Sequence, residues 1–264
     1  MFPIAHPSAS RTARAFAVIL LIAATGCTRT GGTDRTVTGS VGNKPIAQMT
    51  QTELSASVAR YTTAYERNPK DKGTGLTFAQ LLSTTGRSEQ ALAVMRKLAI
   101  THPEDRDVLA AYGKAQAGAG DLRGALDSIK RAQRPEAPDW RLLSAEGAIH
   151  DQMGDRKKAR SLYRKALEMQ PEEASILSNL GMSYVLAGDL RTAEQYLSSA
   201  AGARGADSRI RQNLALVVGL QGRFAEAETI AKRELSPRQA EANLKYLRAM
   251  LGQRDDWKAL DKKA

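Results

Sequence analysis

The sequence predicts an all-α solenoid built from stacked helix pairs, and three observations point to it. Gly86, Gly120, Gly154, Gly188 and Gly222 stand 34 residues apart, each followed by Arg or Asp. Ala91, Ala125, Ala159, Ala193 and Ala227 follow at the same period, five residues after each glycine. Ten coincidences at one spacing are not an effect of composition. A fixed period of this length marks supersecondary units that bury their apolar faces against one another. The chain has 264 residues, of which 42% are hydrophobic and only 5% aromatic. Alanine and leucine carry the apolar load, which favours helices packed closely through small side chains.

Each periodic residue has a physical role in such a pair. The recurring glycine suits the left-handed position that ends a first helix, where a side chain would be strained. The recurring alanine lets the second helix approach the first. Gly113, Gly147 and Gly181, again 34 apart, serve the same contact from inside the first helix, although glycine there costs ~1 kcal/mol relative to alanine. Leu109, Leu143 and Leu177 add apolar bulk to the first helices; Met95, Ile129, Tyr163 and Leu197 do so in the second. Pro69, Pro103 and Pro171 stop second helices before the next pair begins. The pattern resembles the tetratricopeptide repeat, a pair of antiparallel helices. It places five repeats at 72–105, 106–139, 140–173, 174–207 and 208–241. A lone helix over 51–67 is expected before them and a capping helix over 237–251 after them. Trp257 and Leu260 are expected on that cap, the solenoid region ends at 260, and 261–264 form a frayed tail.

The first residues read as an address. Arg11 and Arg14 precede the apolar run 15–24, which is shorter than the ~20 residues a membrane-spanning helix needs. It has the length of a signal-peptide core behind a basic start, so 1–26 is read as a signal peptide. The run closes on Ala24-Thr25-Gly26-Cys27, which resembles the lipobox of bacterial lipoproteins, with Ala24 where that family usually has Leu. The resemblance implies cleavage before Cys27 and its lipidation; two or more acyl chains would anchor the protein stably. The alternative is an ordinary signal peptide cut near Ala24 that leaves a free thiol. By analogy, Thr28 after the cysteine, rather than Asp, implies sorting to the outer membrane. Residues 28–50, rich in Thr and Gly, show no hydrophobic period and read as a flexible tether, so that 27–50 joins anchor to fold.

The formal net charge is +11, and loss of 1–26 removes Arg11 and Arg14 with no acid, leaving +9. Basic residues are interspersed with acids, as in Asp155-Arg156-Lys157-Lys158, and read as a solvated face. No aromatic residues interleave with them to stack bases, so no nucleic-acid partner is expected. Cys27 is the single cysteine, which rules out an intramolecular disulfide or a structural zinc site of thiolates. His6, His102 and His150 have no second ligand or base at helical spacing. Phosphate loops and nucleophile elbows are missing as well, and Glu172-Glu173 after Pro171 suits a first helical turn. The reading is of a binding protein, with no catalytic residue, metal or cofactor.

In a curved solenoid the first helices line the concave face. Asn179 and Asn213 fall at one place in successive repeats, where tetratricopeptide proteins that bind extended peptides place asparagines against the ligand backbone. Arg141, Ser175 and Arg209 match another groove-lining place, with Lys114 and Gln212 nearby. The alternative is a merely soluble surface. Finally, 208–222 (SRIRQNLALVVGLQG) and 236–248 (from Ser236-Pro237 to Asn243-Leu244-Lys245-Tyr246-Leu247-Arg248) resemble the last repeat and following segment of TadD-like lipoproteins of tight-adherence (Flp) pilus assembly. That resemblance implies a periplasm-facing outer-membrane lipoprotein whose partner is a secretin or another pilus assembly component. A different cell-envelope adaptor, one handling outer-membrane proteins or wall enzymes, is the alternative.

Overall fold

The computed structural model describes residues 40–41 and 44–261, with side chains followed as far as 252. The expected signal peptide, Cys27, most of the tether and the end of the tail lie outside the described residues. The chain enters through a short hairpin, β1 (Ser40–Val41) with β2 (Lys44–Pro45), and a 3-10 turn at Ile46–Gln48. Helix α1 spans Gln51–Arg67. Five pairs follow: α2 (Lys72–Thr84) with α3 (Ser88–Thr101), α4 (Arg106–Gly118) with α5 (Leu122–Ala132), and α6 (Trp140–Gln152) with α7 (Arg156–Met169). Then come α8 (Ala174–Leu186) with α9 (Leu190–Gly202), α10 (Ser208–Leu220) with α11 (Phe224–Ala231), and finally α12 (Pro237–Asp261). Each pair falls within one predicted repeat, and the architecture is the expected all-α solenoid.

Short-range chemistry sets these boundaries. The five periodic glycines have φ between +77° and +86°. The amide one residue beyond each donates back five residues, as Asp155 does to the His150 carbonyl at 2.9 Å. That is the bond that seals a helix ending in a left-handed residue. Where Asp follows the glycine, its carboxylate caps the second helix, at Asp121, Asp155 and Asp189. Where Arg follows, at Arg87 and Arg223, no side chain caps. The first helices are capped by Asp71, Asp105, Asp139, Glu173 and Asp207, a third set at the 34-residue period. A carboxylate there accepts otherwise unpaired amides and lies at the positive end of the helix dipole.

Between the helices of a pair, the five periodic alanines are completely buried. A methyl group added at Gly113, Gly147 or Gly181 would sit 2.9 Å from Ile129, 2.8 Å from Tyr163 or 2.7 Å from Leu197. Between pairs, first helices stack on first helices, α2 on α4, α4 on α6, α6 on α8 and α8 on α10. No comparable packing joins successive second helices among the described residues. The first helices therefore form the inner face and α3, α5, α7 and α9 the outer one.

Three features depart from expectation. Helix α1 is the expected lone helix over 51–67 but also lies in second-helix register, with buried Ser57 and half-buried Tyr61 at the places of Ala91 and Met95. Among the described residues the 3-10 turn stands where a first helix would end, and there Ile46 joins Leu54 and Val58 in one apolar cluster. The expected tether thus ends before Lys44, which ion-pairs with Glu53 at 2.6 Å. That bond, with the Thr50 amide, holds the Glu53 carboxyl down to about 2. The fifth repeat does not reach 241: α11 has only 8 residues, and α12 starts at 237 as expected but runs past the expected 251. Ser236 and Gln239 cap each other reciprocally there, and proline suits a first helical position. Leu244 and Leu247 of α12 are buried, and Gly219 of α10 admits the Leu247 side chain. Trp257 and Leu260 belong to α12, but their side chains lie outside the described residues.

Candidate protein-binding groove

The inner face is lined by the first helices, and two inter-repeat hydrogen bonds organise its centre. Asn179 Nδ2 donates to Ser144 Oγ at 3.1 Å, and Asn213 Nδ2 donates to Ser178 Oγ at 3.3 Å. Each asparagine thereby reaches back to the preceding first helix, 35 residues earlier. The serines are buried and the asparagines half-buried. Using the amide nitrogens this way leaves the Oδ1 acceptors without a hydrogen bond among the described residues. An amide carbonyl held by its own nitrogen is a fixed acceptor for a peptide N–H.

The predicted groove residues divide in two. Arg141, Ser175 and Arg209 occupy equivalent places in the first turns of α6, α8 and α10, so Ser175 precedes Asn179 and Arg209 precedes Asn213 by one turn on the same helix face. Arg141 lies 4.8 Å over the Trp140 ring and 3.9 Å from Asp139. Arg209 donates to Asp207 at 2.9 and 3.2 Å, and Ser175 Oγ donates to Glu173 at 2.8 Å. Gln212 donates to Ser208 at 3.0 Å. These polar groups are bonded within their own helix ends, which fixes their positions. Lys114, in α4, is half-buried and makes no ion pair among the described residues.

Sequence reasoning missed the polar centre of the third repeat. Asp151, on the last turn of α6, is buried. It accepts from Tyr163 Oη of α7 at 3.1 Å and from Ser183 Oγ of α8 at 2.8 Å. One carboxylate thus ties together three helices from two repeats. Burial raises the Asp151 pKa, opposed by the Ser183 and Tyr163 hydrogen bonds and by Arg160 and Arg156. Burial, together with the neighbouring Asp151, pushes the Tyr163 phenol well above its usual value. Beside this cluster Arg160 lies 5.0 Å over the Tyr184 ring, which stacks on Tyr196, and Arg164 donates to Tyr184 Oη. The available signal was Tyr163 at a core position, since a buried phenol requires a polar partner.

The Asp151 cluster gives a prediction with a definite sign. Because its folded pKa is raised, the stabilisation Asp151 gains on protonation is complete below the ordinary value of 3.8 and is lost as pH rises through the raised value. Unfolding free energies of the wild type and Asp151→Asn should therefore diverge in favour of the wild type as pH falls from neutrality toward that value. A difference that stays constant with pH contradicts this. Asp151→Ala leaves two buried hydroxyls without their acceptor and should cost about 1–3 kcal/mol.

Comparison with known proteins agrees with this geometry. Two tetratricopeptide repeat family profiles match, one over residues 76–139 and the other over residues 152–217. No curated protein sequence matches the chain. Among solved structures, a tetratricopeptide repeat protein from Parabacteroides merdae superposes with a TM-score of 0.64 at 15% identity, covering 75% of this chain and 78% of that one. The Cut9–Hcn1 hetero-tetramer structure of the APC/C superposes with a TM-score of 0.56 at 15% identity, covering 77% of this chain and 40% of that one. Period, caps, helix crossings and these likenesses agree that the chain is a solenoid of tetratricopeptide repeats.

Proposed function

We propose that this chain is a non-enzymatic, lipid-anchored scaffold that binds a protein partner on its inner face. The observation that carries this reading is the Asn179–Ser144 and Asn213–Ser178 ladder. Two amide carbonyls are held in fixed positions one repeat apart on stacked helices, with Arg209 one turn from the second. Such a row suits the backbone amides of an extended peptide, and arginine suits an acidic group on it. The charge distribution and the absence of a catalytic motif in the sequence support binding over chemistry.

The finer reading rests on sequence. The run 15–24 ending at Cys27 supports a lipid anchor, and Thr28 supports the periplasmic face of the outer membrane. The likeness of 208–222 and 236–248 to TadD-like lipoproteins supports a role in tight-adherence pilus assembly, with a secretin or another assembly component as partner. Labelled palmitate should enter the wild type, which should fractionate with the outer membrane, and should not enter Cys27→Ser. Equal labelling of both, or wild-type protein soluble in the cytoplasm, contradicts the anchor.

The groove is tested by replacing both asparagines with alanine, the better helix former. Each lost hydrogen bond weakens partner binding by ~0.5–1.5 kcal/mol, so the pair lowers affinity roughly tenfold to a hundredfold. Ser144→Ala with Ser178→Ala breaks the same inter-repeat bonds while keeping both carbonyls, and Arg156→Ala with Lys157→Ala removes charge from the outer face. In pull-downs of the secretin from solubilised envelope, the outer-face variant should retain it, the serine variant should bind it more weakly because the carbonyls are no longer held, and the asparagine variant should lose it. Loss in the outer-face variant with retention in the asparagine variant overturns the groove as the binding site.

A further inference from the structure

In the first three repeats the basic charge is sorted by face. Helices α3, α5 and α7 carry eleven Lys and Arg against three Asp and Glu. Their partners α2, α4 and α6 carry four against three. In these three repeats the excess therefore sits on the second helices, where it keeps the repeat period; α9 carries one base and one acid, and α11 two acids and no base. Arg96-Lys97, Lys130-Arg131 and Arg164-Lys165 occupy the same two places in three successive repeats, and all six are exposed. The fourth repeat has Ser198-Ser199 there. Neutralisation is sparse: Arg131 lies 3.9 Å from Asp127, and Arg96, Lys97, Lys130 and Lys165 make no ion pair among the described residues.

Two apolar side chains stand in this ridge. Ile100 is 75% exposed, four residues after Arg96, and Met169 is 41% exposed, four residues after Lys165. That spacing puts each on the same helix face as a ridge cation. Exposed aliphatic side chains have no stabilising role in water, and phosphate backbones offer them nothing. Flexible cations flanked by apolar side chains on a broad surface match the headgroup layer of a bilayer, where charges meet lipid phosphates and apolar tips enter below them. The ring beside the basic pairs, Tyr184, lies between Tyr196 and Arg160, so its faces are already occupied and offer a base no stacking place.

We infer that the outer face of α3, α5 and α7 docks on an anionic lipid surface, leaving the inner groove turned away from the membrane toward a partner. The docking requires only the ridge, so it stands whether or not Cys27 is lipidated and whatever the groove binds.

The test is co-sedimentation of the full chain with vesicles of phosphatidylcholine alone and of phosphatidylcholine mixed equally with phosphatidylglycerol. Every variant shares the same first 39 residues, so the neutral vesicles report the common baseline. The ridge variant combines Lys97→Gln, Lys130→Gln, Lys165→Gln and Ile100→Ser. The control removes equal charge and one exposed apolar residue elsewhere, by Lys70→Gln, Arg204→Gln, Lys245→Gln and Tyr246→Ser. Partition of the wild type onto anionic vesicles should exceed the baseline and fall with salt; the ridge variant should lose about tenfold or more of it and the control little. Equal loss in both variants shows net charge alone and overturns the inference, as does no loss in either. Loss of duplex DNA retention by the ridge variant, with vesicle binding unchanged, assigns the ridge to nucleic acid and also overturns it. If the combined variant loses helicity, Lys97→Gln and Lys165→Gln singly should each give a partial loss, and no loss in either counts against the ridge.

Discussion

In the three middle pairs, where the first helix crosses its second, there is no room for a side chain on the first. At Gly181 an added methyl would meet Leu197 at 2.7 Å and the Ala193 carbonyl at 3.2 Å, and Ala193 itself is fully buried. The backbones can approach this closely only because glycine and alanine face each other. Leu197, Ile129 and Tyr163 then fill the space above the glycines. Interiors at this density leave little slack, so the crossing fixes the angle of each pair. Stacked pairs inherit that angle, and the inner and outer faces follow from it.

Polar contacts tell the repeats apart. Most of the stacking is apolar, and apolar contacts alone would allow one pair to slide over the next. The Asn179–Ser144 and Asn213–Ser178 bonds and the Asp151 cluster each join neighbouring repeats at one geometry. They are confined to the third, fourth and fifth repeats. The first repeat is tied to the second differently, through Lys72 to Asp105 and Asp107 at 2.7 and 3.0 Å on its half-exposed rim. The same asparagines therefore act in cohesion through nitrogen and, in the proposed reading, in recognition through oxygen.

The fold was legible because its constraints are local and repeat. Gly86 and its four equivalents needed a left-handed residue, and Ala91 and its equivalents needed a small one, so the period shows at single positions. The acidic caps from Asp71 to Asp207 carry the same period and extend it, although one is a glutamate. The register of helix α1 was harder to place, because Ser57 stands where the later repeats have alanine and no first helix precedes it among the described residues. The end of the fifth pair was obscured because Ser236-Pro237 starts a helix inside the 34-residue frame. The groove was only partly legible. Periodicity placed Asn179 and Asn213 on the inner face, but whether their nitrogens were already bonded depends on serines 35 residues away. Asp151 was signalled only indirectly, by Tyr163 at a core position, since its partners lie on two other helices.

The central claim is that Gly113, Gly147 and Gly181 of the three middle first helices each touch the large residue of their own second helix, and that this contact sets the solenoid. A double-mutant cycle on Gly181→Ala and Leu197→Ala tests it by equilibrium unfolding. Each single change should destabilise, the first by crowding and the second by leaving a cavity. Together the added methyl occupies space that Leu197 vacates, so the double variant should be more stable than the sum by roughly 0.5–3 kcal/mol. Strict additivity would mean that the two residues do not touch, and would contradict the 34-residue register on which the account rests.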